Sequence, residues 1–261
     1  DEPRVAVSPE TVKKYVAAGC TVRIESGAGL RSHYTDDAYK AQGAEIAASG
    51  SEAVNGADVL LKVRRPSVEE ATGLAAGGII AAMVDPYGAD SDLKALADTK
   101  VTVFSMEFMP RITRAQSMDV LSSQANLAGY KAVVDAAATF PQAMPMMMTA
   151  AGTVPAAKLF VMGAGVAGLQ AIATGRRLGA VVSATDVRPA AKEQVASLGG
   201  KFVAVEDEEF EQAQTEAGYA KPMSDVYKAK QAALVADHIA KQDIVITTAL
   251  IPGRPAPLLV T

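Results

Sequence analysis

Short apolar runs alternate with segments of helical periodicity in the N-terminal half of the chain. The apolar runs predict strands, and the periodic segments predict helices. The predicted strands are Thr21–Glu25, Ala57–Val63, Gly78–Val84 and Val101–Ser105, and the predicted helices are Thr11–Ala18, Asp36–Gln42 and Ser91–Ala97. Because strands and helices follow one another in turn, the pattern favours a mostly parallel sheet.

A much longer helical pattern runs from about Thr113 to Phe140, where Pro141 and Pro145 interrupt it. A helix of this length between two α/β regions is typical of a connection between domains. Polar side chains recur along it at helical spacing and predict a polar stripe on one face: Gln116, Asp119, Ser123 and Asn126. A solvent-facing surface would give the same spacing, so the stripe alone does not define a site.

A strand, a glycine turn and a helix follow the long helix. The apolar run Leu159–Met162 leads into Gly163, Gly165 and Gly168, which have the spacing G-x-G-x-x-G. In that motif the first glycine permits a tight turn, and the second leaves room for a pyrophosphate beside the backbone. The third lets the helix pack closely on the strand. The pattern therefore predicts a dinucleotide-binding turn.

An acid follows at the position that this motif requires. A second strand, Ala180–Thr185, ends at Asp186, near the distance of about 20 residues at which an acid binds the adenosine ribose. An acid here favours NAD(H) over NADP(H), because it would repel a 2′-phosphate. Arg188, two residues further on, leaves this preference open.

The motif also predicts which residues contact the cofactor. Those expected at the pyrophosphate are Gly163, Gly165 and Val166, and those expected at the adenosine end are Asp186, Val187 and Arg188. A further group ends the buried strand predicted at residues 243–248: Thr248, Ala249 and Leu250. Ligands of open α/β sheets bind at such strand ends, so we expect this group in the site.

Composition narrows the class of protein. With 261 residues, 49% of them apolar and 21% charged, the chain is long enough for two domains with substantial cores. The net charge of −4 argues against a nucleic-acid partner. No His, Cys, Asp and Glu set has the spacing of metal ligands, so we expect no metal. The single cysteine, Cys20, indicates a reducing compartment and is predicted to be a small core residue.

Several residues that could suggest other chemistry have simpler interpretations. The methionines are predicted to fill gaps in apolar packing: Met144, Met146, Met147 and Met148. His33 and His238 are predicted to be surface or capping residues. Lys62, at a strand end, is open to two interpretations, because it could bind substrate or phosphate or extend into solvent.

These patterns predict an α/β protein with two Rossmann-like parallel-sheet domains joined by a long helix, and with the cofactor in the cleft between them. We expect an N-terminal domain at residues 1–125 that lacks its first strand, and a linker helix and connection at 126–155. The NAD-binding domain is expected at 156–261 and to be incomplete at its C-terminus, because the chain stops before the usual six strands. The start at Asp1, within a pattern and without methionine, indicates a fragment or a processed product.

Three segments resemble the NAD(H)-binding component of proton-translocating nicotinamide nucleotide transhydrogenases. The first is MPRITRAQSMD at 109–119, which continues through LSSQANLAGY at 121–130. The second is MMTAAGTVP at 147–155, before the glycine turn. The third is GYAK at 218–221 with TTALIPG at 247–253. The similarity extends over essentially the whole chain.

The resemblance implies a function that the spacing does not give. Members of this family form dimers, bind NAD(H) and pass hydride directly to NADP⁺ on a separate component. The exchange is coupled to proton translocation through a membrane-spanning component. The resemblance thus implies a homodimer, NADP(H) on the partner component, and a peripheral position on the cytoplasmic face of the inner membrane. It implies a Re/Si-specific NAD(P)⁺ transhydrogenase.

The resemblance also implies roles for residues. Arg111, Gln116 and Asp119 would be catalytic by positioning the nicotinamide rather than by transferring protons. The residues of this loop implied in cofactor binding are Arg111, Gln116, Ser117, Met118, Asp119 and Ser122. Gly218 and Tyr219 match a mobile loop that closes over the nucleotide in the family.

Two other functions remain as alternatives. An alanine dehydrogenase of the same superfamily needs an imidazole for acid–base chemistry, and a lysine and an arginine for the substrate carboxylate. Arg4 and Lys62 could supply the cations, but the stretch after the strand Gly78–Val84 reads Asp85-Pro86-Tyr87, without histidine. A module that binds NAD as a sensor, without transferring hydride, is the second alternative.

Overall fold

The structure is a computed structural model that describes residues 2–110, 112–213, 223–250, 253 and 255–260. It divides into two compact units, Asp1–Val120 and Leu121–Thr261, here called unit 1 and unit 2. A long helix joins them, because it begins at the last residue of unit 1 and continues into unit 2.

Unit 1 is built from short strands and short helices that alternate along the chain. Its described strands are β1 (Arg23–Glu25), β2 (Glu45–Ala47), β3 (Val59–Leu61), β4 (Ile79–Ala82) and β5 (Thr102–Ser105). Its described helices are α1 (Pro9–Ala17), α2 (Asp36–Lys40), α3 (Gly50–Val54), α4 (Val68–Gly73) and α5 (Asp90–Asp98). Short 3-10 helices lie at Leu30–Ser32, Met106–Phe108 and Thr113–Met118.

Hydroxyl side chains fix where the first four helices begin. Ser8, Thr35 and Ser49 each accept a hydrogen bond from a backbone N–H of the first turn of α1, α2 and α3. Ser67 and Glu70 form a reciprocal capping box at the start of α4. These bonds satisfy N–H groups that a helix leaves without partners, and the sequence places the caps directly before each helical segment.

The described strands of unit 1 form two parallel sheets, β1–β2 and β3–β4–β5. One core surrounds Val12 and Tyr39, whose hydroxyl donates to the carbonyl of Val7 over 2.8 Å. A second core lies around Ile80 on β4, between the sheet and helices α4 and α5. The parallel arrangement predicted from the alternating pattern is confirmed, but as two small sheets rather than one.

Unit 2 carries the long helix and a larger sheet. Its described helices are α6 (Val120–Thr139), α7 (Val166–Arg177), α8 (Ala191–Ser197), α9 (Glu208–Glu211) and α10 (Asp225–Ile239). Its described strands are β6 (Met147–Thr149), β7 (Gly152–Val154), β8 (Lys158–Met162), β9 (Val181–Thr185), β10 (Lys201–Phe202) and β11 (Ile244–Thr247).

Within the described part of unit 2, the main sheet is parallel, in the order β10–β9–β8–β11. Its central strands β8 and β9 are buried almost throughout, as expected of strands covered on both faces. Val133 of α6 and Ile172 of α7 are fully buried in the core against this sheet. Strands β6 and β7 form a separate antiparallel hairpin.

The long helix begins later than predicted. Residues Thr113–Met118 form a 3-10 helix, and Asp119 has a non-helical ψ of 89°, so α6 begins only at Val120. Gln116 and Asp119 therefore do not lie on the same helix as Ser123 and Asn126. The predicted continuous polar stripe is wrong, because the backbone turn at Asp119 breaks the helical register.

Three predictions about single side chains are also wrong. Cys20 is exposed, because it follows the turn after α1 rather than entering a core. Among the four methionines predicted to fill gaps only Met144 is buried, whereas Met146, Met147 and Met148 are exposed around the hairpin. His238 is not a surface residue. Its ring lies edge-on to Phe160 at 4.7 Å, and Nε2 is 2.7 Å from the Ser183 hydroxyl.

Among the residues that the structure describes, no helix is both long and apolar enough to cross a membrane.

Candidate functional site

The carboxyl edge of the main sheet in unit 2 gathers three of the predicted segments. Strand β8 is followed by residues 163–165, β9 by residues 186–188, and β11 by residues 248–250. Because β9, β8 and β11 are neighbours and parallel, their ends meet at one edge. Nine residues predicted from the motif therefore lie on or beside a single surface: Gly163, Gly165, Val166, Asp186, Val187, Arg188, Thr248, Ala249 and Leu250.

Two of the motif glycines are required by packing. Gly163 has a φ of 107°, and a Cβ there would lie 2.7 Å from the hydroxyl oxygen of Thr248. A Cβ on Gly168 would lie 1.7 Å from the carbonyl oxygen of Gly163. Any side chain at either position would push the turn away from its neighbours, so these glycines fix how α7 meets β8.

Gly165 differs from both. It is exposed, its φ of −74° suits any residue, and a Cβ built on it would meet no atom within 4 Å. It precedes α7, and no side chain caps the N–H groups of the first turn. The open space at Gly165 therefore lies beside backbone donors and the positive end of a helix dipole, which suits a diphosphate. The residues present fit the cofactor that the motif predicts.

Asp186 connects the end of β9 to the glycine turn. One carboxylate oxygen accepts from the backbone N–H of Ala164 (2.7 Å) and from Nη2 of Arg188 (3.0 Å). The other accepts from the backbone N–H and the Nε of Arg188, both at 2.9 Å. The carboxylate therefore fixes the shape of two adjacent loops.

The environment of Asp186 keeps it ionised. Burial raises its pKa, but the hydrogen bonds from Arg188 and from the N–H of Ala164 outweigh this, so the pKa lies below its ordinary value. The same contact raises the pKa of Arg188. The site thus holds a buried carboxylate whose charge is balanced within its own loop.

Thr248 holds the other side of the turn. Its hydroxyl donates to the carbonyl of Gly163 over 2.9 Å, while the N–H of Gly163 donates to the carbonyl of Thr185 over 2.8 Å. Three apolar side chains around this edge are exposed: Val166 by 43%, Val187 by 50% and Leu250 by 77%. An apolar rim beside polar backbone groups is the usual lining of a small-molecule site.

The second predicted set lies at the end of unit 1. Gln116, Ser117 and Met118 are exposed on the 3-10 helix, and Asp119 follows them half-buried. Ser122 lies half-buried in the first turns of α6. Three predicted site residues lie outside the described residues: Arg111, Gly218 and Tyr219.

The prediction missed residues that support the edge. A Cβ on Gly129 of α6 would lie 2.0 Å from the carbonyl oxygen of Ala167 in the first turn of α7. Beside it, the Asn126 amide donates to Gln170 over 3.0 Å. A glycine inside a predicted helix was the available signal for this close packing. The contact of the Ala164 N–H with Asp186 had no such signal, because a backbone donor has no side-chain signature.

The strand ends of unit 1 carry charged side chains that bind one another. Lys62, after β3, contacts both carboxylate oxygens of Glu70, at 2.5 and 2.6 Å. Arg65 donates to Asp92 and to the carbonyls of Val84 and Asp85. These groups already have partners within the unit.

The residues after the other two strands of this sheet are bonded as well. Glu107, after β5, accepts from the N–H groups of Val84 and Asp85 and from the hydroxyl of Ser105. Among the described residues, no three His, Cys, Asp or Glu side chains form a group that could hold a metal ion.

The fold and the edge of unit 2 define a two-unit α/β protein with a Rossmann-type dinucleotide site. Residues 1–128 match the N-terminal domain of alanine dehydrogenase/PNT, and residues 132–261 match its C-terminal domain. The chain belongs to the alanine dehydrogenase/PNT family, which confirms the resemblance found in the sequence.

Individual relatives refine this membership. The chain is 55% identical to an NAD(P) transhydrogenase subunit alpha chain of Rhodospirillum rubrum, over 100% of this chain and 69% of the relative. It matches the crystal structure of transhydrogenase from Sinorhizobium meliloti with a TM-score of 0.89 and 62% identity, over 99% of this chain and 69% of that one. Alanine dehydrogenase 2 of Staphylococcus aureus is 30% identical, over 100% of this chain and 64% of the relative.

Proposed function

We propose that this chain is the NAD(H)-binding component of a proton-translocating NAD(P) transhydrogenase, and that it passes hydride between NADH and NADP⁺ held on a partner component. The observation that carries the proposal is the open glycine, Gly165, beside the uncapped start of α7 and next to Asp186. The full-length identity of 55% to a transhydrogenase subunit supports the reaction.

The residues of unit 2 would bind one end of the dinucleotide. The N–H groups at the start of α7 cap the diphosphate, because Gly165 leaves that space open. Asp186 binds the hydroxyls of the adenosine ribose. Val187 and Leu250 offer exposed apolar surface to the flanking groups.

The residues of the loop before α6 would orient the other end. When bound, NADH supplies the hydride, and no side chain of this chain needs to exchange a proton with it. Gln116 hydrogen-bonds the carboxamide and fixes the orientation of the ring. Arg111, Asp119 and Ser122 shape its surroundings. Their contribution is positioning, since hydride transfer depends on donor and acceptor carbons held about 3–3.5 Å apart.

The charges of unit 1 weigh against an alanine dehydrogenase. Lys62, which would bind a substrate carboxylate, is neutralised by Glu70. Neither histidine suits the acid–base role. His33 is an exposed residue that ends a 3-10 helix, and His238 is bonded to Ser183 in unit 2. Transfer between two nicotinamides needs no imidazole, so the transhydrogenase reaction agrees better with these residues.

The partners belong to the same proposal. The chain would work as a homodimer, with the NADP(H)-binding and membrane-spanning components of the enzyme, on the cytoplasmic face of the inner membrane. The described hairpin β6–β7 carries exposed Met147, Met148 and Val154, a group of apolar side chains that supports association with another protein surface.

Mixing the purified chain with an NADP(H)-binding component, without membrane, tests the reaction. We expect NADH to be oxidised as an NADP⁺ analogue is reduced, with one hydride transferred per turnover. Oxidation of NADH that depends on pyruvate and ammonia, by the chain alone, would instead favour an alanine dehydrogenase. NADH binding without transfer would favour an NAD sensor.

The variant Gln116→Ala tests the orienting role. Gln116 is exposed, so its removal leaves the fold intact. We expect hydride transfer to slow by about tenfold or more while the dissociation constant of NADH changes little, because only alignment is lost. An equal change in NADH release and in transfer would contradict the orienting role.

A further inference from the structure

The carboxylate of Asp186 has no capacity left for another donor. It accepts four hydrogen bonds, two on each oxygen, from the N–H of Ala164 and from three groups of Arg188. An ionised carboxylate offers about four lone-pair positions. A ribose diol that binds Asp186 must therefore replace donors that the chain itself supplies.

Two of the four donors can be exchanged. The N–H groups of Ala164 and Arg188 belong to the backbone of the two loops and stay with the fold. The side-chain donors of Arg188 are Nε, at 2.9 Å, and Nη2, at 3.0 Å, with one on each carboxylate oxygen. The side chain of Arg188 is 31% exposed and that of Asp186 is 7% exposed, so the guanidinium is the group with a path towards solvent.

The two exchangeable donors match a ribose in number and arrangement. A guanidinium edge presents two parallel N–H groups to the two oxygens of a carboxylate. A vicinal diol likewise presents two O–H groups, one for each oxygen. Replacing the first by the second keeps every acceptor of Asp186 satisfied.

We propose that the guanidinium of Arg188 occupies the ribose position on Asp186, that a dinucleotide must displace it to bind, and that Arg188 thereby sets the choice between NAD(H) and NADP(H). This rests on the proposed function, because it assumes that Asp186 is the ribose ligand.

The displaced cation acts differently on the two cofactors. For NADH, Arg188 is only a competitor, since the ribose hydroxyls need the positions that it holds. For NADPH, the 2′-phosphate brings no donor to Asp186 and is repelled by it, but a guanidinium beside it pairs well with phosphate. Removing Arg188 should therefore shift the two affinities in opposite directions, which a general loss of structure would not do.

Calorimetric titration with NADH and with NADPH tests this on the wild-type chain and on Arg188→Ala. We expect the dissociation constant of NADH to fall by about fivefold and that of NADPH to rise by about fivefold or more. Arg188→Lys keeps the charge but loses the two-donor edge. It should tighten NADH binding while leaving NADPH binding close to that of the wild type, and it serves as the test if Arg188→Ala does not fold.

Lys192→Ala is the matched control. Lys192, on α8, forms an exposed ion pair with Glu206 in the same unit, so its removal should change neither constant. If both arginine variants leave the NADH constant unchanged, or raise both constants together, Arg188 does not compete with the ribose and the inference fails. If the wild-type chain binds no NADH, the proposed function itself fails.

Discussion

The two units end their parallel strands in different ways. In unit 2, strand β8 runs into Gly163 and Gly165, and the edge exposes backbone N–H groups that no side chain caps. In unit 1, strands β3 and β5 run into Lys62 and Glu107, whose charged groups are bonded to other residues of the unit. Two edges of similar topology thus differ in whether polar groups are left for a ligand.

This difference teaches that topology alone does not make a site. The rule that ligands bind at carboxyl ends of parallel strands would select either edge. What separates them is the residue type after each strand. Glycine leaves donors accessible, whereas a lysine with a glutamate eight residues on, as in Lys62 and Glu70, satisfies its own charge. We therefore expect nucleotide binding to depend on unit 2 and to be insensitive to the charges of unit 1.

The largest effect that we expect comes from Gly168→Ala in unit 2. The new Cβ would lie 1.7 Å from the carbonyl oxygen of Gly163, and backbone atoms on both sides cannot yield without moving α7. We expect a loss of about 3 kcal/mol or more in the free energy of unfolding, measured by denaturant titration. The control is Gly56→Ala in unit 1, whose Cβ meets no atom within 4 Å, so its cost comes from the φ of 69° without overpacking. An unchanged stability of Gly168→Ala would show that the turn is not packed as described.

A smaller effect is expected from acid, and only in unit 2. Burial, followed by the charges of Lys201 and Lys241, lowers the pKa of His238 below its ordinary value of 6.5. The neutral ring is thus favoured in the folded state. Its contribution is present above about pH 6.5 and is lost as the pH falls through the folded-state pKa. Urea titrations between pH 7.5 and about pH 5 should show this decline in the free energy of unfolding.

Two variants isolate the contribution of His238. His238→Gln should remove that part of the pH dependence, because no ionisable ring remains beside Ser183 and Phe160. His33→Gln, which changes the exposed histidine of unit 1, should leave the dependence intact. An identical decline in wild type and His238→Gln would assign the effect to other groups.

The smallest effect is expected at the strand end of unit 1. Glu70→Gln removes the partner of Lys62, and the pair is partly exposed, so we expect a loss of about 1 kcal/mol or less in unfolding free energy. The dissociation constant of NADH should stay within about twofold of wild type, because this edge takes no part in binding. A clear loss of NADH affinity in Glu70→Gln would place the charges of unit 1 in the binding function and remove the contrast between the units.

The sequence predicted most of what depends on local patterns. Caps such as Ser8, the strand before Gly163 and the position of Asp186 at a strand end follow from residue types at fixed spacing. The break at Asp119 did not, since a helical periodicity continues across it and only the backbone angles reveal the turn. The bonding of Arg188 to Asp186 was also beyond the pattern, because it depends on the conformation of one loop.

The most direct test of the account is a calorimetric titration of the wild-type chain and of Gly165→Ala with NADH, together with the melting temperature of each. The added methyl group meets no atom of the protein but fills the space beside the first N–H groups of α7. We predict that the variant melts at or slightly above the wild-type temperature and binds NADH at least about tenfold more weakly. Equal NADH affinity in the two proteins, with both folded, would contradict the claim that the cofactor lies against Gly165.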